Sequence, residues 1–228
     1  MCTRQAMRFF LALILALTMV PSLSFGQAKP GQAAARAKET IVIQARDGGF
    51  LPQGILEQIR AVPNVRQTES FLEGMTADGR RVIGVESAPT LHLRSGDAAL
   101  AAVIVQGRGL EAGDAPEAMV VGQTFAQHNK TALGLSIPAM LTKDHFPPII
   151  VGGQGFSIVG IYATGDAKTD DQVLVLLPTA QTLLNQPGRL SGVYVTPAAP
   201  AAAEQVAAEL RLTLGDAVEV APVARRQR

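Results

Sequence analysis

The 228-residue sequence holds one cysteine, no tryptophan and an even balance of charge, and each shortage excludes something. The lone Cys2 permits neither a disulfide framework nor a cysteine-based zinc site within the chain. Aromatic residues at 4% supply no stacking platform for sugars or single-stranded bases. Lys and Arg number 20 against 19 Asp and Glu, so the clustered positive excess of a nucleic-acid surface is missing. No GxxxxGKS or GxxxxGKT run exists, so the chain has no phosphate loop for ATP. Beyond the N-terminus, no segment is long and apolar enough to span a membrane.

What remains is the composition of an exported globular domain. Hydrophobic residues make up 47% and charged residues 17%, enough to bury a core without disulfides. Arg4 and Arg8 precede an apolar run from Phe9 through Val20, which Pro21 breaks. Small residues then offer cleavage points around Ser24-Phe25-Gly26 and Gly26-Gln27-Ala28. This is the pattern of a secretory signal peptide over residues 1–28. The rival reading is an uncleaved N-terminal anchor over Phe9–Phe25, slightly short of the roughly 20 apolar residues of a spanning helix. Both readings put the rest of the chain outside the cytoplasm. Residues 29–39 read as a linker and 223–228 as a basic tail, solvated or touching anionic headgroups.

A β-α-β unit opens the folded part. Thr40–Ala45 is β-branched and strand-like, and Pro52 suits a first helical turn. Ile55, Leu56, Ile59 and Val62 share a helical face, and Val65–Glu73 reads as the second strand. A like unit closes the chain. It comprises the strand Gly192–Thr196, an Ala-rich helix opened by Pro200 and closed by Gly215, and the strand Ala217–Ala221. Two such units at opposite ends predict a split ferredoxin-like arrangement. The middle is strand-rich. Strands are predicted at Arg81–Glu86, Ala102–Gln106, Ala118–Val121, Ile149–Val151, Phe156–Tyr162 and Val173–Leu177, the last buried on both faces. Short helices follow Gly122 and Pro178.

Motifs of catalysis are near misses. Gly155-Phe156-Ser157-Ile158-Val159 has Val159 where a nucleophile elbow needs glycine, and a strand continues instead. Gly107-Arg108-Gly109 with Gly113 misses the dinucleotide spacing by one residue. His92, His128 and His145 form no ligand-spaced pair. Asp166, Asp170 and Asp171 do not alternate as a calcium loop requires and read as a solvated turn. Asn129-Lys130-Thr131 matches a glycosylation sequon, a short pattern that carries no weight by itself. No catalytic, cofactor-binding or metal-binding residue is therefore assigned.

Four stretches occur in an informative order: Gly107-Arg108-Gly109-Leu110 with Gly113-Asp114, Ala118–Gly122, Gly155–Ile161, and Asp170-Asp171 through Pro178-Thr179-Ala180-Gln181 to Leu184. With the closing Val193-Tyr194-Val195 and the Glu204–Leu214 helix, they resemble the MacB-like periplasmic core domain of ABC transporter permeases. The resemblance covers residues 40–222. It implies an α+β fold, with a porter-like lobe from both chain ends (40–116 and 190–222) and an inserted β-rich lobe (117–189). It implies a non-catalytic extracytoplasmic module that binds a partner protein or substrate, without cofactor. ABC transporter membrane or adaptor components are the expected partners, and ATP is expected to bind only a separate subunit.

The sequence departs from that family at two places. Leu133–Pro148 replaces a short strand, and the three helices that follow the domain in family members are not found before Arg228. A free-standing accessory domain is thus expected; the alternatives are the front part of a permease whose first helix is the N-terminal run, and a secreted hydrolase. The loops Lys143–Pro148 and Thr164–Asp171 are the expected contact surfaces.

Overall fold

The computed structural model describes residues 40–87, 92–95, 98–131, 133–140, 148–222 and 224–225. The predicted signal peptide (1–28), the linker (29–39), His145, most of the 143–148 loop and the end of the basic tail lie outside the described residues.

The first β-α-β unit comprises β1 (Ile41–Ala45), the two-residue β2 (Leu51–Pro52), α1 (Ile55–Ala61) and β3 (Val65–Met75). Pro52 does not open the helix as its position in the sequence suggests. It sits in β2, whose main chain pairs with β12 (Arg189–Leu190), and α1 starts three residues later. Ile55, Leu56 and Ile59 turn inward at helical spacing. Asn64 takes a left-handed conformation at the corner into β3, one that asparagine tolerates. β3 folds back through Thr76–Arg80 into β4 (Arg81–Val85).

A hairpin of β5 (His92–Ser95) and β6 (Ala98–Ala101) follows, then β7 (Val103–Gly107) and β8 (Ala118–Gly122). Next come α2 (Gln123–His128), α3 (Ile137–Met140), β9 (Ile149–Val151), β10 (Gln154–Ala163), β11 (Val173–Leu176) and α4 (Leu177–Leu183). After β12, the second unit comprises β13 (Gly192–Pro197), a 3-10 turn at Pro200–Ala202, α5 (Ala203–Leu214) and β14 (Val218–Pro222). β15 (Ala224–Arg225) joins β6 and β5 in a small separate sheet.

One ten-stranded mixed sheet carries the molecule, in the order β14-β1-β13-β3-β4-β11-β8-β10-β7, with β9 on β10. The strands of the two chain ends are interleaved and antiparallel, β1 between β14 and β13, and β13 beside β3. β11 runs parallel to β4 and joins this half to the rest. β7 lies at the far end of the sheet beside β10.

Alternation along the strands sorts the side chains onto two faces. Ile41 and Ile43, Val173 and Val175, Val193 and Val195 enter one large core with residues of α1, α2, α4 and α5. Val120, Tyr162 and Leu174 form a second cluster, and Val42, Phe71 and Tyr194 a third. β11 is buried on both faces, as its unbroken apolar run predicts, each such side chain contributing about 1.5–3 kcal/mol.

Candidate functional site

Three chain segments meet around an open groove of about 710 Å³. The β3–β4 hairpin lends Glu73, Met75, Arg80 and Arg81; α2 lends Phe125 and His128; the loop after β10 lends Lys168 and Asp171.

Local hydrogen bonds explain why these segments stay together. In the hairpin turn, Thr76 donates to the Asp78 carboxylate, and its hydroxyl accepts the Arg80 N–H at 3.1 Å. Asp78 also accepts the Gly152 N–H at 3.2 Å, fastening this turn to the β9–β10 turn. The Thr76 bond holds the Asp78 carboxyl below its usual pKa, with the Gly152 bond acting in the same direction and burial opposing.

α2 starts where β8 ends. The Gly122 N–H donates to the Gln172 carbonyl and the Phe125 N–H to the Asp170 carbonyl, each at 2.9 Å. A side chain at Gly122 would place Cβ 2.1 Å from that Asp170 carbonyl, so only glycine allows the crossing.

The 164–171 loop is built around its own acids. Asp170 is buried and accepts the Thr164 N–H at 2.8 Å, the Thr164 hydroxyl at 2.7 Å and the Gly165 N–H at 3.3 Å. Asp166 accepts the Thr169 N–H at 3.1 Å and its hydroxyl at 2.5 Å. The buried Tyr162 hydroxyl donates to the Thr169 carbonyl at 2.8 Å, and desolvation pushes its pKa far up, so it stays a neutral donor. The sequence reads Asp166, Asp170 and Asp171 alike as a solvated turn. The structure corrects this for two of them: Asp166 and Asp170 cap the loop internally, and only Asp171 is exposed, on the groove.

The groove's cations are left available. The Arg80 guanidinium lies over the Phe125 ring, 5.4 Å from its centroid, a contact that orients the group. Among the described residues, Arg80, Arg81 and Lys168 form no ion pair, although Glu73 and Asp171 line the same space. Such a lining can take up carboxylates and amides of a docking chain. Among the described residues, no group of three or more His, Cys, Asp or Glu that could hold a metal ion converges.

Of the residues weighed in the sequence, His128 reaches the groove, His92 lies on β5 and His145 is outside the described residues. Ser157 sits within β10, and its N–H donates to the Glu117 carbonyl at 2.8 Å, a strand geometry rather than an elbow. The Thr164–Asp171 loop supplies one groove wall. The walls from β3, β4 and α2 have no local signature and arise only from long-range pairing.

The four ordered stretches meet in pairs. Gly107 of the first lies opposite Gly160 of the third, where a Cβ on Gly160 would come 2.0 Å from the Arg108 carbonyl. Gly122 of the second meets Asp170 of the fourth, as described. These stretches are joints of the sheet.

A family model described as MacB-like periplasmic core domain matches residues 13–212. No curated protein matches the chain. Among solved structures, the periplasmic region of MacB from Actinobacillus actinomycetemcomitans is similar with a TM-score of 0.56 at 10% identity, over 83% of this chain and 91% of that one. The extracellular domain of the noncanonic ABC-type transporter YknZ from Gram-positive bacteria is similar with a TM-score of 0.51 at 16% identity, over 79% of this chain and 98% of that one. At these identities the likeness is one of fold. Among the described residues, no helix is long and apolar enough to cross a membrane.

Proposed function

The chain belongs to the family of MacB-like periplasmic core domains, and from that membership we propose that it is a non-catalytic extracytoplasmic module of, or accessory to, an ABC transporter permease system. It binds a partner protein of that system, a membrane or adaptor component, through the groove between the β3–β4 hairpin, α2 and the 164–171 loop. ATP is bound by a separate subunit. Residues 40–116 and 190–222 form a ferredoxin-like, porter-like lobe, and residues 117–189 form the inserted β-rich lobe.

The observation that carries the reading is the family match over residues 13–212. The groove adds a place for the contact. Among the described residues Arg80, Arg81 and Lys168 form no ion pair, and they line the groove beside the exposed Met75, a mixture of charge and apolar surface suited to a protein chain.

Photo-crosslinking in intact cells tests it. A photoreactive residue replacing Met75, His128 or Lys168 should capture a component of a permease system. The same residue replacing Leu212, exposed on α5, should not. Equal capture from both places, or none from the groove, would remove the groove from the proposal.

One observation favours a second reading. The family match begins at residue 13, inside the apolar run 9–20, so that run belongs to what the family shares. On this reading it is the first membrane helix of a permease-type chain. Cell fractionation with N-terminal sequencing separates the readings: a soluble form starting near Gln27 supports the free module, and a membrane-bound form retaining Met1 supports the anchored one.

A further inference from the structure

Charge is divided unevenly along this chain. Residues 27–39 and 223–228 carry six cations, Lys29, Arg36, Lys38, Arg225, Arg226 and Arg228, against one acid, Glu39. None of the six would be lost with the predicted signal peptide. Residues 40–222 between them carry 12 Lys and Arg against 18 Asp and Glu, a net charge of −6. The even balance of the whole chain thus hides an acidic body with basic ends.

The fold brings those ends together. Ile41, the first residue of β1, pairs with Pro222, the last of β14. The same row continues through Val195 of β13 to Thr68 of β3. Both basic segments therefore join the sheet at one end of its strands. Arg225 of β15 lies three residues beyond Pro222, at most about 11 Å of chain. Two cations of the fold itself border this rim: Arg60 Nε donates to Thr68 Oγ1 at 3.1 Å, and Arg66 is exposed at the start of β3. Glu69 on β3 and Glu204 at the start of α5 balance these two, so the positive excess comes from the six flanking residues.

We propose that this rim rests on the anionic surface of a lipid bilayer. Each basic residue near such a surface strengthens binding roughly fivefold, and the attraction fades within a Debye length of about 8–10 Å. The same surface repels the acidic body, which turns the rim toward it. A bilayer is favoured over an acidic protein because the apolar run 9–20 leads into this same rim. Residues 21–39 between them span at most about 65 Å when extended. An apolar segment and a basic cluster are together the two signals that stable membrane attachment takes.

Flotation of the purified intact chain tests this, with vesicles of phosphatidylcholine alone or with about 30% phosphatidylglycerol added. Binding to phosphatidylcholine reports the apolar run; the gain on adding phosphatidylglycerol reports the charge. That gain should be about tenfold or more and vanish near about 0.5 M salt. Arg225→Gln, Arg226→Gln and Arg228→Gln together should remove most of it and leave binding to phosphatidylcholine unchanged. Arg66→Gln should lower it about fivefold. Arg46→Gln, which removes the same charge from an exposed position beyond the opposite end of β1, should leave it unchanged. No gain overturns the proposal and leaves the rim to an acidic protein surface. A gain that survives the triple substitution also overturns it, as does an Arg66→Gln effect no larger than that of Arg46→Gln.

Discussion

Arg108 grips Asp114 with both guanidinium nitrogens, Nη1 to Oδ2 at 2.7 Å and Nη2 to Oδ1 at 2.6 Å. Oδ2 also accepts the Glu111 N–H at 2.9 Å, so one carboxylate closes the loop between β7 and β8. Within that loop Leu110 is buried against the cluster around Tyr162. The glycine-arginine stretch that falls one residue short of a dinucleotide fingerprint is therefore a loop lock. Arg108 stays half-exposed, which limits what the lock contributes.

Asp114→Asn should cost about 0.5–1 kcal/mol at neutral pH, the ordinary range for an exposed but bidentate pair. The Arg108 hydrogen bond holds the Asp114 carboxyl below its usual pKa of 3.8 in the fold. A depressed folded pKa gives stability that is full above the unfolded value and lost as pH falls through the folded one. Urea titrations of both proteins should therefore differ at neutral pH and converge as pH falls through the lowered folded pKa of Asp114. A difference that persists in acid would mean that the loop, rather than the ion pair, is what the substitution damages.

Gly84 of β4 faces Ala180 of α4, where an added Cβ would lie 2.3 Å from the alanine Cβ and 3.2 Å from the Leu177 Cα. Gly84→Ala should destabilise by about 1–3 kcal/mol through overpacking. Ala180→Gly should recover part of that loss, because the first clash is removed and the Leu177 contact remains. A double-mutant cycle by thermal denaturation reads the coupling, and strict additivity would contradict the contact.

The same contacts explain what was legible in the sequence. β1, α1, β3 and the β13–α5–β14 unit follow from β-branched runs, helical spacing and the left-handed Gly215. Their interleaving follows from having one such unit at each chain end. The β5–β6 hairpin escaped notice because His-Leu-Arg-Ser and Ala-Ala-Leu-Ala carry little β-branched signal. The place of β7 was also hidden, since a strand's partner is a long-range choice that its own residues do not record. For the groove, only the 164–171 loop could be pointed to in advance. Arg80, Arg81 and Phe125 are ordinary in sequence, and they converge only because β11 lies between β4 and β8.

Asp170→Asn should cost about 2–4 kcal/mol. The buried carboxylate receives three donors, and an amide turns one acceptor into a further donor among them. The damage should spread to the groove, because the neighbouring Asp170 carbonyl holds the start of α2 through the Phe125 N–H. Hydrogen exchange should show Phe125 losing protection together with Thr164. Loss at Thr164 alone would separate the loop from the helix and leave the groove wall independent of Asp170.

Arg81→Glu and Lys168→Glu are the complementary case, because they alter the groove without touching its supports. Neither side chain takes part in an ion pair among the described residues, and Lys168 is exposed at the groove. Stability should move by less than about 0.5 kcal/mol for Lys168→Glu and little more for Arg81→Glu. Crosslinking from Met75 should nonetheless fall sharply in the double variant, since a carboxylate-bearing partner would now meet four acids and one cation along the lining instead of three cations and two acids. The salt dependence of capture gives the sign independently. Capture by the wild-type chain should weaken as ionic strength rises, because screening removes the attraction, whereas any residual capture by the double variant should strengthen. Undiminished capture by the reversed groove would show that the partner reads the apolar rim around Met75 and Phe125 and not the charge.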